Sequence, residues 1–276
     1  MYKIVQHVLV LLAVLCGIAY PIALIGMTFN VTPPFSFGWA GSALLILEAC
    51  MLVLAATLTY DWLRAWLAAL TVIVLSTLVE EIGVRASFPF GTYFYTNVLQ
   101  PRITSQVPLA VSCAWVLVIF ASYSIVRMGY VGRDLIGLRG TLLGATLATS
   151  LDLAIEPVAV YIEHYWVWIR PGSFNYYGVP LTNFVAWFLV VWMLITLIDM
   201  QMRLLPVRIR QPDAKLANGR LARFVPLLLF SGSLFMFGLV DFTHGYYLGT
   251  LFAALPALLT LRMAKPCESL FPPRLT

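Results

Sequence analysis

The amino-acid sequence predicts an all-α protein, a polytopic integral membrane bundle of about eight transmembrane helices that forms one transmembrane domain over residues 1–276. Apolar residues make up 61% of the chain and charged residues only 11%, a composition far from that of soluble domains. The apolar runs are about 20 residues long, enough to cross a hydrocarbon core of roughly 30 Å as helices. They also lack the alternating pattern of a membrane β-barrel.

Hydropathy divides the chain into eight spans, and Pro, Gly and charged residues mark the boundaries between them. They cover approximately residues 5–26, 40–60, 65–86, 107–127, 139–162, 180–202, 223–241 and 246–262. The first run follows Lys3 and has the position of a signal peptide. Because the run is long and no clear small-residue cleavage site follows it, we expect it to remain as a span.

The distribution of positive charge predicts the orientation. In an eight-span arrangement, all of the 17 Lys and Arg residues except Arg85, Arg102 and Arg170 fall on the face that holds both termini. The positive-inside rule therefore places both termini in the cytoplasm. We expect a multi-pass protein of the cytoplasmic membrane. The connection 203–222 is then a basic cytoplasmic loop, whereas 87–106 and 163–179 are non-cytoplasmic loops.

Two other classes of partner find little support in the sequence. The basic residues are dispersed between apolar runs and form no continuous arm or groove, which argues against nucleic acid. The four cysteines are widely spaced, and the three histidines lie far apart without a paired motif. Neither a disulfide framework nor a metal site is therefore indicated.

The two non-cytoplasmic loops are rich in aromatic residues. The residues of interest are Phe90, Tyr93 and Tyr95 in the first loop and Trp166, Trp168 and Tyr177 in the second. Aromatic rings at the depth of the lipid headgroups are typical of an interfacial belt. The alternative interpretation is an aromatic lining for the entrance of an apolar ligand, and the sequence leaves both open.

Six acidic residues lie in the outer half of a span or at its outer end: Glu48, Glu80, Glu81, Asp152, Glu156 and Asp241. Ionisable groups inside a membrane are costly, usually face the interior of the bundle and are candidates for function. At a helical rise of 1.5 Å per residue, these acids and Asn183 lie within about 15 Å of the outer ends of their spans. We therefore expect a polar site in the outer leaflet.

Asp152 and Glu156 are four residues apart and share one face of their helix. Two neighbouring carboxyl groups hinder each other's ionisation, and burial acts in the same direction, so the pair is suited to hold a proton for general-acid chemistry. Pro157 follows directly, removes a backbone donor and favours a kink. The alternative is that these acids pair with Arg85, Asn183 or each other only as packing contacts.

Glu80 and Glu81 are adjacent in the sequence, so on a helix they point about 100° apart and at most one of them faces the same site. Arg85 follows at a spacing that allows an ion pair with either acid. Glu48 has no polar neighbour and is expected to be structural. Asp241 precedes a polar turn with a glycine, which is typical of a helix end, and a contribution to the site stays open.

Several short motifs lie between about residues 78 and 190. They are Glu81-Ile82-Gly83, the run from Phe88 to Tyr95, Val107-Pro108-Leu109-Ala110 with Trp115, Asp152-Leu153, Glu156-Pro157-Val158-Ala159, Trp166 with Trp168, the run from Tyr176 to Pro180, Asn183-Phe184, and Trp187. Together they resemble the membrane carotenoid-biosynthesis proteins, the family that includes the carotenoid 1,2-hydratases. Glu156 stands where that family usually has Asp, and Arg85 adds a charge beside the expected site.

The resemblance implies a cofactor-independent enzyme that adds water to the terminal C1=C2 bond of an acyclic carotenoid end group. Asp152 or Glu156 would donate the proton, while Glu81 and Asn183 would orient water or stabilise positive charge. The residues expected to contact substrate are Glu80, Arg85, Phe90, Tyr93, Tyr95, Trp115, Trp166, Trp168, Tyr177 and Trp187. The expected partners are a lycopene-like or other acyclic-ended polyene and membrane lipid, with a second copy of the chain or other carotenoid enzymes as candidate protein partners.

Other functions stay open at this point. An end-group cyclase or isomerase needs the same proton donor and differs by excluding water after the cation has formed. A carotenoid-binding or structural subunit of a membrane complex would use the aromatic loops as pigment or partner contacts. A transporter or proton relay is less well supported, because the sequence shows no internal repeat.

Cysteine labelling tests the predicted orientation. A single cysteine in the loop 203–222 should react with a membrane-impermeant maleimide only after the cells are opened, because that loop is expected to face the cytoplasm. A cysteine in the loop 87–106 should react in intact cells and serves as the control. Labelling of 203–222 from outside intact cells would overturn the topology.

Overall fold

The computed structural model describes residues 2–31, 38–130, 136–205 and 217–268, and eight α-helices run through these ranges. They are α1 (Tyr2–Phe29), α2 (Ala40–Thr59), α3 (Trp62–Ala86), α4 (Leu109–Met128), α5 (Gly137–Tyr161), α6 (Leu181–Leu204), α7 (Ala217–Thr243) and α8 (Tyr247–Glu268). The carboxylate of Asp61 caps α3 by accepting a hydrogen bond from the Arg64 N–H at 2.9 Å. α4 and α6 begin directly after Pro108 and Pro180. Proline has no backbone N–H, and the start of a helix does not require one.

α4 lies at the centre of the described bundle. It contacts six helices, and these contact one another in the closed order α2, α3, α6, α5, α8, α7. Side chains on all sides of α4 are buried, among them Trp115, Ile119 and Ile125. A helix that is apolar all round is expected in such a position. α1 packs outside the ring, against α2 and α7.

The predicted all-α membrane bundle is confirmed. Helices α1 to α7 are long and apolar enough to cross a membrane, and large apolar side chains such as Leu78, Val185 and Leu189 are exposed on the ring. In α8, the apolar part with described side chains, Tyr247–Thr260, is shorter. The predicted spans agree closely with the helices, except that α7 begins at Ala217 rather than near 223 and α8 ends at Glu268 rather than near 262. Most of the predicted loop 203–222 lies outside the described residues, and the orientation of the termini stays a prediction.

The two aromatic loops contain four short strands. β1 (Tyr93–Tyr95) pairs antiparallel with β2 (Trp166–Trp168), so that Tyr93 lies opposite Trp168 and Tyr95 lies opposite Trp166. β3 (Asn175–Tyr176) pairs with β4 (Val179–Pro180) in the same way. We refer to β1 and β2 as the aromatic ribbon, and to the end of the bundle that it covers as the capped end.

Arg102 holds the loop that carries β1 in shape. Its guanidinium group donates hydrogen bonds to the backbone carbonyls of Tyr95, Thr96, Ser105 and Gln106 at 3.0 to 3.3 Å. A planar cation with several donors can satisfy many carbonyl groups of a compact loop at once. The contacts fasten the end of β1 to the segment that leads into α4.

α1 is attached to the ring through a buried polar contact. The Tyr20 hydroxyl donates to the carboxylate of Glu48 in α2 and lies 3.2 Å from the hydroxyl of Ser233 in α7. The Tyr20 ring passes over Gly232, where a Cβ atom would lie only 3.2 Å from ring atom Cε1. Glu48 is only 2% exposed, and a buried carboxylate requires a hydrogen-bond donor, which Tyr20 supplies.

The close approach of α7 and α8 predicts that the protein is sensitive to substitution at Gly238. A Cβ atom there would lie 2.8 Å from the Cβ atom of Ala253, which moves only with its backbone. Gly238→Ala should therefore separate the two helices and lower stability by about 1–3 kcal/mol, read out as the Tm of the purified protein. Gly26→Ala in α1 is the control, because no atom outside its local helix backbone lies within 4 Å of the added Cβ. Equal Tm values for the two variants would contradict the described packing.

Candidate functional site

Glu80 of α3 is buried at the capped end, and its carboxylate accepts three hydrogen bonds. The hydroxyls of Tyr93 and Tyr95 donate to Oε2 at 2.5 and 2.7 Å. The indole N–H of Trp115 donates to Oε1 at 2.9 Å. Burial, and next the charge of Glu80, raise the pKa of both tyrosine hydroxyls far above the usual range, so the hydroxyls remain donors. Neutral groups thus supply all three hydrogen bonds.

Glu156 of α5 has a closely similar environment. The indole N–H groups of Trp166 and Trp168 donate to Oε2 at 3.0 and 3.3 Å, and the side-chain amide of Asn183 in α6 donates to Oε1 at 3.1 Å. Glu156 and Asn183 are each 2% exposed. Charged acceptors form stronger hydrogen bonds than neutral ones, so three donors go far towards replacing the lost water.

The aromatic ribbon is the element that serves both glutamates. Residues at alternate positions of a strand point to the same side, so Tyr93 and Tyr95 of β1 and Trp166 and Trp168 of β2 all face the helices. β1 supplies two donors to Glu80, and β2 supplies two donors to Glu156. Pairing of the two strands therefore places the donors of both acids on one side of a single ribbon.

Asp152 lies one turn before Glu156 on α5 and differs from both glutamates. It is 3% exposed, and its Oδ2 atom has no hydrogen-bond partner among the described residues. Glu156 and Glu80 are both near enough to act on it electrostatically. A buried carboxyl group with neither a donor nor a cation is costly to keep charged. Asp152 is accordingly the acid of the three that is best suited to carry a proton.

The aromatic residues that donate to Glu80 and Glu156 also pack on one another and on further rings. The indole rings of Trp115 in α4 and Trp187 in α6 stack with centroids 3.8 Å apart and planes inclined by 5°. Tyr93 packs on Trp168 at 4.9 Å, and Phe90 packs against Trp115 at 6.5 Å. Such faces favour an apolar ligand and also attract positive charge through the π-electron system.

Two glycines allow the aromatic ribbon and its loop to lie close to the helices. A Cβ atom at Gly83 would lie 2.7 Å from Cδ2 of Phe90 and 2.9 Å from the Tyr93 hydroxyl. Gly91 has φ +121°, a conformation that side chains rarely adopt, and it lies against Pro180 and Trp168. A side chain at Gly83 would push Phe90 and Tyr93 away from α3, and one at Gly91 would press on Pro180, directly before α6, and on Trp168.

The structure does not bring Glu81 and Arg85 to the acid cluster. Glu81 forms an ion pair with Arg85 at 2.6 Å and accepts a hydrogen bond from the Thr104 hydroxyl at 2.5 Å. The Arg85 side chain is 64% exposed and also donates to Ser105 at 3.0 Å. The physical reason is the turn of about 100° per residue, which directs Glu80 inward and Glu81 to the surface.

A signal in the sequence distinguishes Glu80 from Glu81, although our sequence reasoning did not use it. Glu80 shares its side of α3 with Ser76 and Gly83, which are buried. Glu81 shares its side with Leu78 and Arg85, which are exposed. Small residues one turn before and after an acid indicate close packing, whereas large apolar residues at that spacing indicate lipid.

Tyr177 lies in a second aromatic cluster. Its hydroxyl accepts a hydrogen bond from the Leu248 N–H at 3.2 Å, and its ring packs on Tyr176 at 4.7 Å and Tyr246 at 5.2 Å. Asp241 lies at this end of α7 and accepts a backbone hydrogen bond from Tyr246 at 2.8 Å, as a helix-ending turn requires. Its carboxylate is buried, and neither oxygen has a hydrogen-bond partner in the described part of the chain.

The other residues expected from the sequence lie together around the acids. They are Asp152, Glu156, Asn183, Glu80, Phe90, Tyr93, Tyr95, Trp115, Trp166, Trp168 and Trp187. Within the described ranges, no group of three or more His, Cys, Asp or Glu side chains is arranged to hold a metal ion.

Adjacent substitutions test the placement of the two glutamates. Glu80→Ala leaves three buried donors without an acceptor and should cost about 1–3 kcal/mol for each of them. Glu81→Ala is the neighbouring control and removes an ion pair at the surface, which contributes about 0–1 kcal/mol, and the hydrogen bond from Thr104, which contributes about 1 kcal/mol. Thermal unfolding of the purified proteins should show a much larger decrease in Tm for Glu80→Ala. Similar decreases for the two variants would contradict the described geometry.

Comparison with known proteins agrees with the resemblance noted in the sequence. The sequence model of a family described as "Carotenoid biosynthesis protein" matches residues 40–259, which run from the start of α2 into α8 and include the whole acid cluster. Bisanhydrobacterioruberin hydratase from Haloarcula japonica is 30% identical over 189 residues, which are 67% of this chain and 62% of that protein. The match thus spans less than two thirds of the relative's length. No solved structure matches the chain significantly. On the extent of the family match, the chain belongs to the carotenoid biosynthesis protein family.

Proposed function

We propose that this membrane protein is a carotenoid-modifying enzyme that adds water to the terminal C1=C2 bond of an acyclic carotenoid end group. Membership of the carotenoid biosynthesis family and the hydratase name of the relative from Haloarcula japonica support the class of substrate and reaction. The observation that carries the proposal is Asp152, a buried carboxyl group one turn before Glu156 on α5, whose Oδ2 atom has no hydrogen-bond partner among the described residues. The substrate would reach this site from the membrane.

The first step is proton transfer from Asp152. Its carboxyl proton goes to C2 of the end group, the π electrons of the C1=C2 bond form the new C–H bond, and a tertiary cation remains at C1. A general acid of this kind requires a carboxyl group that is protonated at the working pH. Asp152 is buried without a hydrogen-bond partner for Oδ2 among the described residues, whereas Glu80 and Glu156 each accept three hydrogen bonds, and this difference favours that form at Asp152.

Glu80 and the stacked tryptophans would stabilise the cation. The charge of Glu80 is held in place by three neutral donors, so it provides a fixed negative potential without forming an ion pair in the resting protein. The faces of Trp115 and Trp187 contribute through their π electrons. This arrangement gives Glu80 the role that sequence reasoning had assigned to Glu81.

Water would be activated at Glu156 and Asn183. The two side chains are hydrogen-bonded to each other at 3.1 Å, and their remaining acceptor positions are suited to orient one water molecule. The water oxygen attacks C1 and forms the C–O bond, and a proton leaves the oxygen for a carboxylate of the cluster. The sum of the steps is the addition of one water molecule, and the proton returns to Asp152 for the next cycle.

An end-group cyclase or isomerase is the second candidate, and one observation favours it. Glu80, Asp152, Glu156 and Asn183 are each only 2–3% exposed, so the resting site is shielded from bulk water. A cation formed in such surroundings can lose a proton or be attacked by an internal double bond instead of by water. The two candidates share Asp152 as the proton donor and differ in the product.

Pigment analysis separates these functions. The chain is expressed in cells that make lycopene, and the extracted carotenoids are analysed by mass spectrometry. A product heavier by one water is expected, and Asp152→Asn should reduce its formation by at least about 100-fold, as loss of a general acid does. Glu81→Gln, which lies outside the acid cluster, is the control and should retain activity.

Each of the other outcomes contradicts either hydration or the role of Asp152. A new pigment of unchanged mass indicates cyclisation or isomerisation. Unchanged lycopene that co-purifies with the protein indicates a pigment-binding subunit. Equal activity of Asp152→Asn and the parent protein would remove Asp152 from the mechanism, provided that both elute as folded protein in size-exclusion chromatography.

A further inference from the structure

The outward side of the aromatic ribbon is as apolar as its inward side. Phe94 of β1 and Val167 of β2 are cross-strand partners that point away from the helices, and they are 45% and 40% exposed. Ile169 continues the same side two residues after Val167 and is 54% exposed. We call these three residues the outer face of the ribbon.

An apolar outer face is unusual for a ribbon that is covered by water. Antiparallel sheets that pack on one side normally carry polar residues on the solvated side. Here the polar atoms lie on the inward side, where hydroxyl and indole donors reach Glu80 and Glu156. The outer face therefore has the composition of a surface that is covered by apolar material.

The aromatic ribbon also lies at the level of the helix ends and not beyond them. Its Tyr93 and Tyr95 hydroxyls reach Glu80, which lies six residues, or about 9 Å, before the end of α3 at Ala86. Phe90 packs directly on Gly83 in the last turn of α3. The loop thus turns back alongside the helix ends that it caps.

The apolar outer face is continuous with the apolar wall of the bundle. β1 contacts α3, where Ile82 is exposed in the last turns. The Thr182 hydroxyl in the first turn of α6 donates to the Phe90 carbonyl at 3.2 Å, and Val185 is exposed one turn further on. Ile82 and Val185 belong to helices that are long and apolar enough to span the membrane.

Backbone pairing and charge indicate more closely how deep the aromatic ribbon lies in the membrane. The ladder of the ribbon is extended on both sides by bonds from Thr96 N–H to Tyr165 O at 3.0 Å and from Ile169 N–H to Thr92 O at 2.9 Å. A two-stranded ribbon still has outer edges that need polar partners, which the hydrocarbon core does not offer. Arg170, directly after Ile169, is exposed and has the charge that complements lipid phosphate.

We infer that the outer face of the ribbon, Phe94, Val167 and Ile169, lies against lipid at the boundary between headgroups and acyl chains. The wall that separates the acid cluster from its surroundings then faces lipid instead of water. This assignment rests on exposure, alternation and depth, and it holds whether or not the protein is a hydratase.

Spin-label accessibility tests the assignment. Cys16, Cys50, Cys113 and Cys267 are first replaced, and a nitroxide is attached to Phe94→Cys in protein reconstituted into phosphatidylcholine–phosphatidylglycerol nanodiscs. Collision rates are measured with oxygen, which concentrates in lipid, and with a water-soluble nickel chelate. Val185→Cys serves as the lipid control, and Asn97→Cys, an exposed polar position in the same loop, serves as the water control.

We expect the label at position 94 to collide with oxygen about as often as the label at 185, and with the nickel chelate several-fold less often than the label at 97. Nickel accessibility equal to that at 97 would show that the face is open to water and would overturn the assignment. Low accessibility to both reagents would show that protein, such as a second copy, covers the face, and this also overturns it. Val167→Cys on the partner strand repeats the test if Phe94→Cys does not fold.

Discussion

A carboxylate inside a membrane bundle needs hydrogen-bond donors, and at the capped end this need determines the arrangement of everything else. Glu80 and Glu156 each accept three hydrogen bonds, and all six donors are neutral. Four of them come from one two-stranded ribbon, so the loops between the helices must meet, pair and turn inward. Gly83 and Gly91 are the positions at which this inward fold requires the absence of a side chain. Asp152, which receives no such donors at Oδ2, differs chemically from its neighbours for that reason.

Much of the fold follows from local sequence. Helices in lipid are long apolar segments with polar breaks, so hydropathy places α1 to α7 to within a few residues. The central position of α4 does not follow in the same way, because lipid and protein are both apolar and hydropathy does not tell them apart. α4 is nevertheless buried on all sides, whereas α3 and α6 expose large apolar residues such as Leu78 and Leu189. That difference depends on which helices are neighbours.

The candidate site was predictable to the extent that it depends on one helix. The spacing of Asp152 and Glu156 alone places both acids on one face of α5, and both are buried. Pairing of β1 with β2 depends on two segments far apart in the chain, and no local pattern specifies their register. The sequence is equally limited for Glu80 and Glu81. These adjacent residues point in different directions from α3, and one is a buried hydrogen-bond acceptor while the other forms a surface ion pair. Composition identified the aromatic residues of the loops, but only tertiary structure shows which acid each of them serves.

The contact between Tyr20 and Glu48 joins α1 to a helix of the family match. The family match begins at residue 40, so Glu48 lies within it and α1 lies outside it. Glu48 is nevertheless buried against a hydroxyl that α1 supplies. Acid and donor are therefore expected to vary together among related chains: where the first helix lacks a tyrosine or another donor at this level, an apolar residue should replace the glutamate. The residue at position 48 of α2 is thus expected to depend on the helix that packs against it from outside the ring.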